Sequence, residues 1–210
     1  METVILARHG ESELSAAGLV SGDPSEPRGM TEIGRDQARR LGKRLADVPI
    51  DLCVTSEFER TRETADLALA GRDVARLVLP GLNDIRFGAF EGGPLSAYRA
   101  WARAHGPTDR PPSGGESRAE VAARYVRGFG RILARQERTI LVVAHGLPLR
   151  YTLLALEGLD PTPIVEQVPL AEPYRLSRAD FERATARLER WSQTPVWAKS
   201  LPGLNPENRG

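Results

Sequence analysis

Two of the three histidines stand at equivalent places in the chain. Arg8-His9-Gly10-Glu11 closes an apolar run over residues 4–7, and His145-Gly146 closes another over 140–144. Short apolar runs of this kind read as buried strands, and open α/β sheets bind ligands in the crevice beyond such strand ends. A lone histidine is more often a core side chain; two at strand ends, each followed by glycine, point to a site. Arg8 adjoins His9, and Arg60 falls in the first turns of the helix expected after the run 52–54. A cation near a helix N-terminus is mildly disfavoured by the macrodipole, unless helix end and guanidinium face one anion. Two imidazoles and two guanidiniums around an anion suggest phosphate. A neutral imidazole can accept a phosphoryl group, and the remaining cations would steady the charge on the transferring oxygens. The departing oxygen needs an acid, and Asp84, just past a further candidate strand, is placed to supply one.

The positioning elements follow from pattern. Residues 4–7, 52–54 and 140–144 run apolar without alternation, as strands buried on both faces of a parallel sheet do. Residues 74–79 form a weaker candidate, and 173–176 a fifth. Thr31 should cap a helix whose buried face carries Ile33, Ala38, Leu41 and Leu45. Ser56-x-x-Glu59 and Ser117-x-x-Glu120 have capping-box spacing, the first opening a helix through Leu69. Pro148 suits the first turn of a helix through Leu156, and Ser177 could cap a last one. The fold class expected is α/β: a three-layer α/β/α sandwich with a mostly parallel sheet. One domain over 1–192 and an extended Pro/Gly-rich tail over 193–210 complete the organisation. Residues 12–29 and 106–115 read as long loops, which in compact domains usually carry function.

Composition narrows the classes. Hydrophobic residues make up 40% and charged residues 27% of 210, ordinary for a soluble globular chain. The formal net charge of +1 argues against bulk attraction to nucleic acid or membrane. Arginine supplies every basic residue except Lys43 and Lys199. Cys53 is the only cysteine, so no internal disulfide can form, and it sits in an apolar run. No signal pattern and no stretch of roughly 18 apolar residues is visible, which leads to the expectation of a soluble cytoplasmic protein. Neither a Walker A loop nor a Rossmann glycine fingerprint is present.

The blocks, taken in order, resemble the histidine phosphatase superfamily, the phosphoglycerate mutase-like proteins. Arg8-His9-Gly10-Glu11-Ser12, Met30-Thr31-Glu32-x-Gly34-x-x-Gln37-Ala38 and Ser56-x-x-x-Arg60-x-Arg62-x-Thr64-Ala65 are similar to its first three blocks. Residues 82–92, Gly114-Gly115-Glu116-Ser117 and Ala144-His145-Gly146 are similar to the rest. The resemblance implies His9 as nucleophile, with Arg8, Arg60, His145 and the Gly146 N–H holding phosphate. Asp84 matches the proton donor's position, usually Glu in this branch, with Glu91 as the alternative. Ser15 falls where many members have a phosphate-binding Asn, and Leu14 where Trp is common. Glu11 reads as a structural partner, and His105 as a surface residue.

The expected activity is metal-free hydrolysis of a small-molecule phosphomonoester through a phosphohistidine, with no cofactor and no nucleic-acid or membrane partner. A homodimer is compatible with it. Mutases of this type resemble longer chains; here only residues 94–113 separate the acid block from Gly114-Gly115. Phe87, Tyr98, Trp101 and the 12–29 loop are candidates for the substrate mouth. Mutase-type transfer and a phospho-ligand-binding pseudoenzyme stand as alternatives. A metal-dependent hydrolase using His9, His145, Asp84 and Glu11 would set its cation against Arg8 and Arg60.

Overall fold

The computed structural model describes residues 1–26 and 28–198. Its strands are β1 (Thr3–Arg8), β2 (Leu52–Thr55), β3 (Ala75–Val78), β4 (Thr139–Ala144) and β5 (Pro173–Ser177). Its helices are α1 (Glu13–Ala16), α2 (Glu32–Arg44), α3 (Glu59–Ala68), α4 (Leu95–Ala104), α5 (Arg118–Leu133), α6 (Gly146–Leu156) and α7 (Arg178–Gln193). The sheet order is β3-β2-β4-β1-β5; all neighbours pair in parallel except β5, which lies antiparallel along β1.

The unbroken apolar runs have a simple cause. Val4, Leu6, Val54, Ile140 and Val142 enter one core with residues of α5, α6 and α7. Their neighbours Ile5, Ala7, Cys53, Leu141 and Val143 enter a second core with Leu41, Ala65 and Ala68 of α2 and α3. Alternate side chains leave opposite faces of a strand, so both faces must be apolar when helices cover both. This is the three-layer sandwich expected. Burying each large aliphatic side chain contributes about 1.5–3 kcal/mol. Among the described residues no helix is long and apolar enough to cross a membrane.

Several expectations need correction. Ile33 is 60% exposed; the inward stripe of α2 is Gly34, Ala38 and Leu41. Gly34 takes that place because a Cβ there would meet the Glu11 carbonyl at 2.0 Å, so the helix start lies directly on the backbone after His9. Ser56 does not close a capping box. Phe58 is the N-cap of α3, without a side-chain cap, and the Ser56 hydroxyl is turned to His145. The box at Ser117 and the cap at Ser177 form as expected. Pro148 lies in the first turn of α6, behind Gly146 and Leu147.

The 12–29 loop contains the short α1, and residues 94–113 contain α4, a helix absent from the expected elements. Leu95, Tyr98 and Ala102, one helical face behind Pro94, are the sequence signal for it. Gln193 still belongs to α7, and the next residues lie against the body: the Trp191 indole donates to the Val196 carbonyl and that of Trp197 to the His105 carbonyl. The rest of the expected tail, 199–210, lies outside the described residues.

Candidate active site

His9 and His145 leave the carboxyl ends of adjacent strands. The His9 N–H continues the ladder to the Ala144 carbonyl at 2.9 Å, and the two ring centroids are 5.4 Å apart. His9 Nδ1 lies 2.6 Å from the Gly10 carbonyl, which can only accept, so Nδ1 carries the proton. Nε2 keeps its lone pair and faces the Arg60 Nε at 3.2 Å. Burial, then the Arg60 and Arg8 cations, hold His9 well below the ordinary imidazole pKa, so the ring is neutral at pH 7. That is the state a nucleophile requires.

Arg60 organises the rest. Its Nη2 donates to His145 Nδ1 at 3.2 Å and to the Ser21 carbonyl at 3.0 Å. Its guanidinium lies 4.1 Å over the Phe58 ring. Burial lowers its pKa to about 10, so it stays cationic at neutral pH. Since Arg60 donates to Nδ1 of His145, the opposite nitrogen bears the proton and donates to Ser56 Oγ at 2.8 Å. Ser56 passes its hydroxyl hydrogen to Thr61 Oγ1 at 2.9 Å, and Thr61 donates to the Phe58 carbonyl at 2.8 Å. This chain fixes the His145 tautomer. His145 is fully buried and, like His9, is held neutral by burial and the Arg60 charge.

Arg8 extends from the end of β1; its Nη1 donates to Gln167 Oε1 and the Val168 carbonyl, both at 2.9 Å, and its buried Nε has no partner among the described residues. Gly146 opens α6, whose N-cap, His145, makes no side-chain cap, so the positive helix end faces the cleft. The backbone after His9 is clamped twice: Thr64 Oγ1 accepts from the Gly10 N–H at 2.9 Å, and a Cβ on Gly10 would meet the Gly34 carbonyl at 2.4 Å.

The structure brings Asp84 into the cleft and leaves Glu91 out of its lining. Asp84 Oδ2 is 3.6 Å from both Arg60 Nη2 and His145 Nδ1. Burial raises its pKa against the pull of Arg60, which favours a carboxyl that still holds its proton. Both oxygens of Glu91 are taken by the Gly22 and Phe87 N–H groups, at 2.8 and 2.7 Å. Glu91 therefore ties the 12–29 loop to the turn after Asp84. Ser15 lines the cleft, but its hydroxyl donates to the Ser12 carbonyl within α1's capping box. Glu11 braces the loop by accepting from the Thr31 hydroxyl at 2.7 Å. Phe87 and Tyr98 line the mouth; Trp101 does not, being stacked on His105. His105 is exposed. Arg118, Ser21 and Ser56 join the site without having been singled out for it by sequence, although Arg118, at the first position of a helix, carries the same signal that flags Arg60.

Residues 4–194 match the family described as histidine phosphatase superfamily (branch 1). The adenosylcobalamin/alpha-ribazole phosphatase of Salmonella typhimurium is 37% identical over 67% of this chain and 72% of its own. A 2,3-bisphosphoglycerate-dependent phosphoglycerate mutase of Brucella melitensis is 35% identical over 79% of this chain and 86% of its own. Among solved structures, a putative alpha-ribazole-5'-P phosphatase from Escherichia coli superposes with TM-score 0.70 and 29% identity, over 83% of this chain and 89% of that one. Mycobacterial glucosyl-3-phosphoglycerate phosphatase, solved with VO3, gives 0.68 and 26%, over 84% and 93%. The chain belongs to the histidine phosphatase superfamily, branch 1.

Proposed function

We propose that this chain is a phosphatase that hydrolyses small phosphomonoesters through a phosphohistidine on His9. The observation that carries the reading is the unprotonated Nε2 of a buried, neutral His9, accepting from the Arg60 Nε at 3.2 Å, with its other nitrogen pinned by Gly10. Arg8, Arg60 and the Gly146 N–H bind the phosphoryl oxygens, and His145, whose Nδ1 accepts from Arg60, holds that guanidinium in place. Nε2 attacks phosphorus in line, the ester P–O bond breaks, and Asp84 gives its proton to the departing oxygen. Asp84, now a carboxylate, takes a proton from water as that water attacks phosphorus. The P–N bond breaks, the electron pair returns to Nε2, and inorganic phosphate leaves. Positive charge for the transition state comes from Arg8, Arg60 and the helix end. Ser15 contributes to the wall of the site rather than a free donor, its hydroxyl being held within α1.

A cytoplasmic setting accords with this reading: the sole cysteine is buried in the sheet, its thiol pushed up to about 12 by burial. The similarity to a mutase favours a second reading, in which the phosphoryl group returns to a bound acceptor. One experiment separates them. Wild type and His9→Ala are assayed on an aryl phosphate with excess chelator, following both phosphate release and acid-labile protein-bound phosphate. Hydrolysis requires release and labelling in wild type, and neither in His9→Ala. Labelling without release, with transfer to an added phosphoglycerate, assigns the mutase. Release that persists in His9→Ala refutes His9 as nucleophile.

A further inference from the structure

Four buried side-chain polar atoms lack a hydrogen-bond partner among the described residues: Arg8 Nε, Tyr98 Oη, Arg118 Nε and Tyr125 Oη. Three of the four belong to residues that line the cleft. The Arg8 atom lies with the phosphate-binding groups. The other two lie together, with the Arg118 guanidinium 5.3 Å over the Tyr98 ring.

Arg118 is 6% exposed and Tyr98 is 2% exposed. Among the described residues the guanidinium donates to the Tyr151 hydroxyl, at 3.4 Å, and its remaining neighbour of polar character is the Tyr98 hydroxyl, likewise uncharged. Among the described residues no carboxylate forms an ion pair with it. The acids nearest in sequence are engaged elsewhere, Glu116 by Arg124 and Glu120 by Arg110. A buried cation without a counter-ion costs several kcal/mol, and proteins seldom keep one without use for it. Arg99, half-buried on the same wall, adds a second cation, whose hydrogen bond among the described residues is a 3.4 Å contact to the Val165 carbonyl. The Arg118 Nε can only donate, and the Tyr98 hydroxyl facing the guanidinium has its own hydrogen to give, so what completes them is an acceptor bearing negative charge. They sit on α5 and α4, whereas the groups around His9 come from β1, α3 and the β4–α6 turn.

We infer that Arg118, with Tyr98 and Arg99, forms a second anion subsite, and that the substrate carries a carboxylate or second phosphate besides the ester phosphate. This rests on the phosphatase reading only in calling the ligand a substrate; the subsite itself is testable by binding. The probes are ω-carboxyalkylphosphonates with two to six carbons, the matching α,ω-bisphosphonates and plain alkylphosphonates, titrated calorimetrically into the whole chain. At the best spacer the doubly anionic probe binds about 10- to 100-fold tighter than the plain one. The carboxylate or bisphosphonate with the larger advantage names the group. The advantage collapses in Arg118→Met, survives in part in Arg118→Lys, and is kept in Arg103→Met, which removes an exposed neighbouring cation. Arg118→Met melts no lower than wild type, since it removes an uncompensated buried charge.

Equal binding of single and double anions by wild type at every spacer overturns the inference. So does an advantage that survives Arg118→Met, or a large fall in Tm in that variant with the advantage intact, which makes Arg118 a scaffold residue. A chain that releases no phosphate from any ester, yet keeps the Arg118-dependent advantage, loses the phosphatase reading and keeps the subsite.

Discussion

Arg124 of α5 and Arg60 of α3 are guanidiniums drawn into the protein on either side of the turn that carries Asp84. Arg124 commits its donors to the protein. Nε and Nη2 grip the two oxygens of Glu116 at 2.9 and 2.7 Å, and the rest reach the carbonyls of Gly81, Asn83 and Asp84 at 3.2, 2.8 and 3.0 Å. Arg60 instead points at neutral acceptors: His9 Nε2, His145 Nδ1 and Ser21, with the nearest carboxylate, Asp84, at 3.6 Å. One region matches its charge internally and holds the backbone still. The other leaves cationic charge for a ligand to neutralise. A buried arginine therefore identifies a site here by what its donors lack, not by its burial.

Asp84 belongs to both regions, its carbonyl held by Arg124, while its carboxyl lines the cleft with Oδ1 accepting from the Ile85 N–H and Oδ2 turned to Arg60 and His145. Asp84→Asn removes the proposed proton donor without touching that carbonyl. The expected loss is about 10²- to 10⁴-fold in kcat on alkyl phosphates, whose leaving groups need a proton, and much less on nitrophenyl phosphate. The sign with pH follows from the raised pKa: kcat/KM on alkyl esters falls as pH rises through the Asp84 titration, and Asp84→Asn loses that alkaline limb. A variant as active as wild type on alkyl phosphates, with the limb intact, would place the acid elsewhere.

Replacing the two arginines in parallel tests the comparison itself. Arg124→Met strands Glu116 and should cost about 3–5 kcal/mol in urea unfolding. Arg60→Met should lose about 10²- to 10³-fold in kcat/KM while its unfolding midpoint stays near wild type or rises. Equal stability losses in the two variants would erase the distinction.

The smallest effect concerns the wire behind His145. Ser56→Ala removes the acceptor of the His145 Nε2–H, and about tenfold in kcat/KM is expected from one lost hydrogen bond to the imidazole that positions Arg60. Ser56→Thr, which keeps the hydroxyl, should recover most of it. If both variants behave alike, packing rather than tautomer control explains the position.

Much of this arrangement is legible in the residues alone. The runs at 4–7, 52–54 and 140–144 read as strands buried on both faces, and such strands place His9 and His145 at one edge of the sheet. What escapes is set by tertiary partners. Ser56 has the spacing of a cap, but a buried imidazole competes for its hydroxyl and wins. Ile33 has the spacing of an inward residue, yet Gly34, one residue on, is the one needed against the Glu11 carbonyl. Glu91 and Asp84 are both carboxylates near the right turn. Only the amides of Gly22 and Phe87, both far from obvious in sequence, show which one has both oxygens occupied.

The close approach of Gly10 and Gly34 has a consequence for how this protein can change over generations. A side chain at either position would strike backbone, at 2.4 Å from the Gly34 carbonyl or 2.0 Å from that of Glu11, and neither oxygen can step aside without moving the loop that starts at His9. Neither glycine has a functional group, yet both should tolerate replacement as poorly as the nucleophile. The cleft walls drawn from α1, α4 and residues 164–167 carry no such restriction. Drift, or a designer's library, can therefore rewrite which molecule is accepted while the floor of the cleft remains fixed.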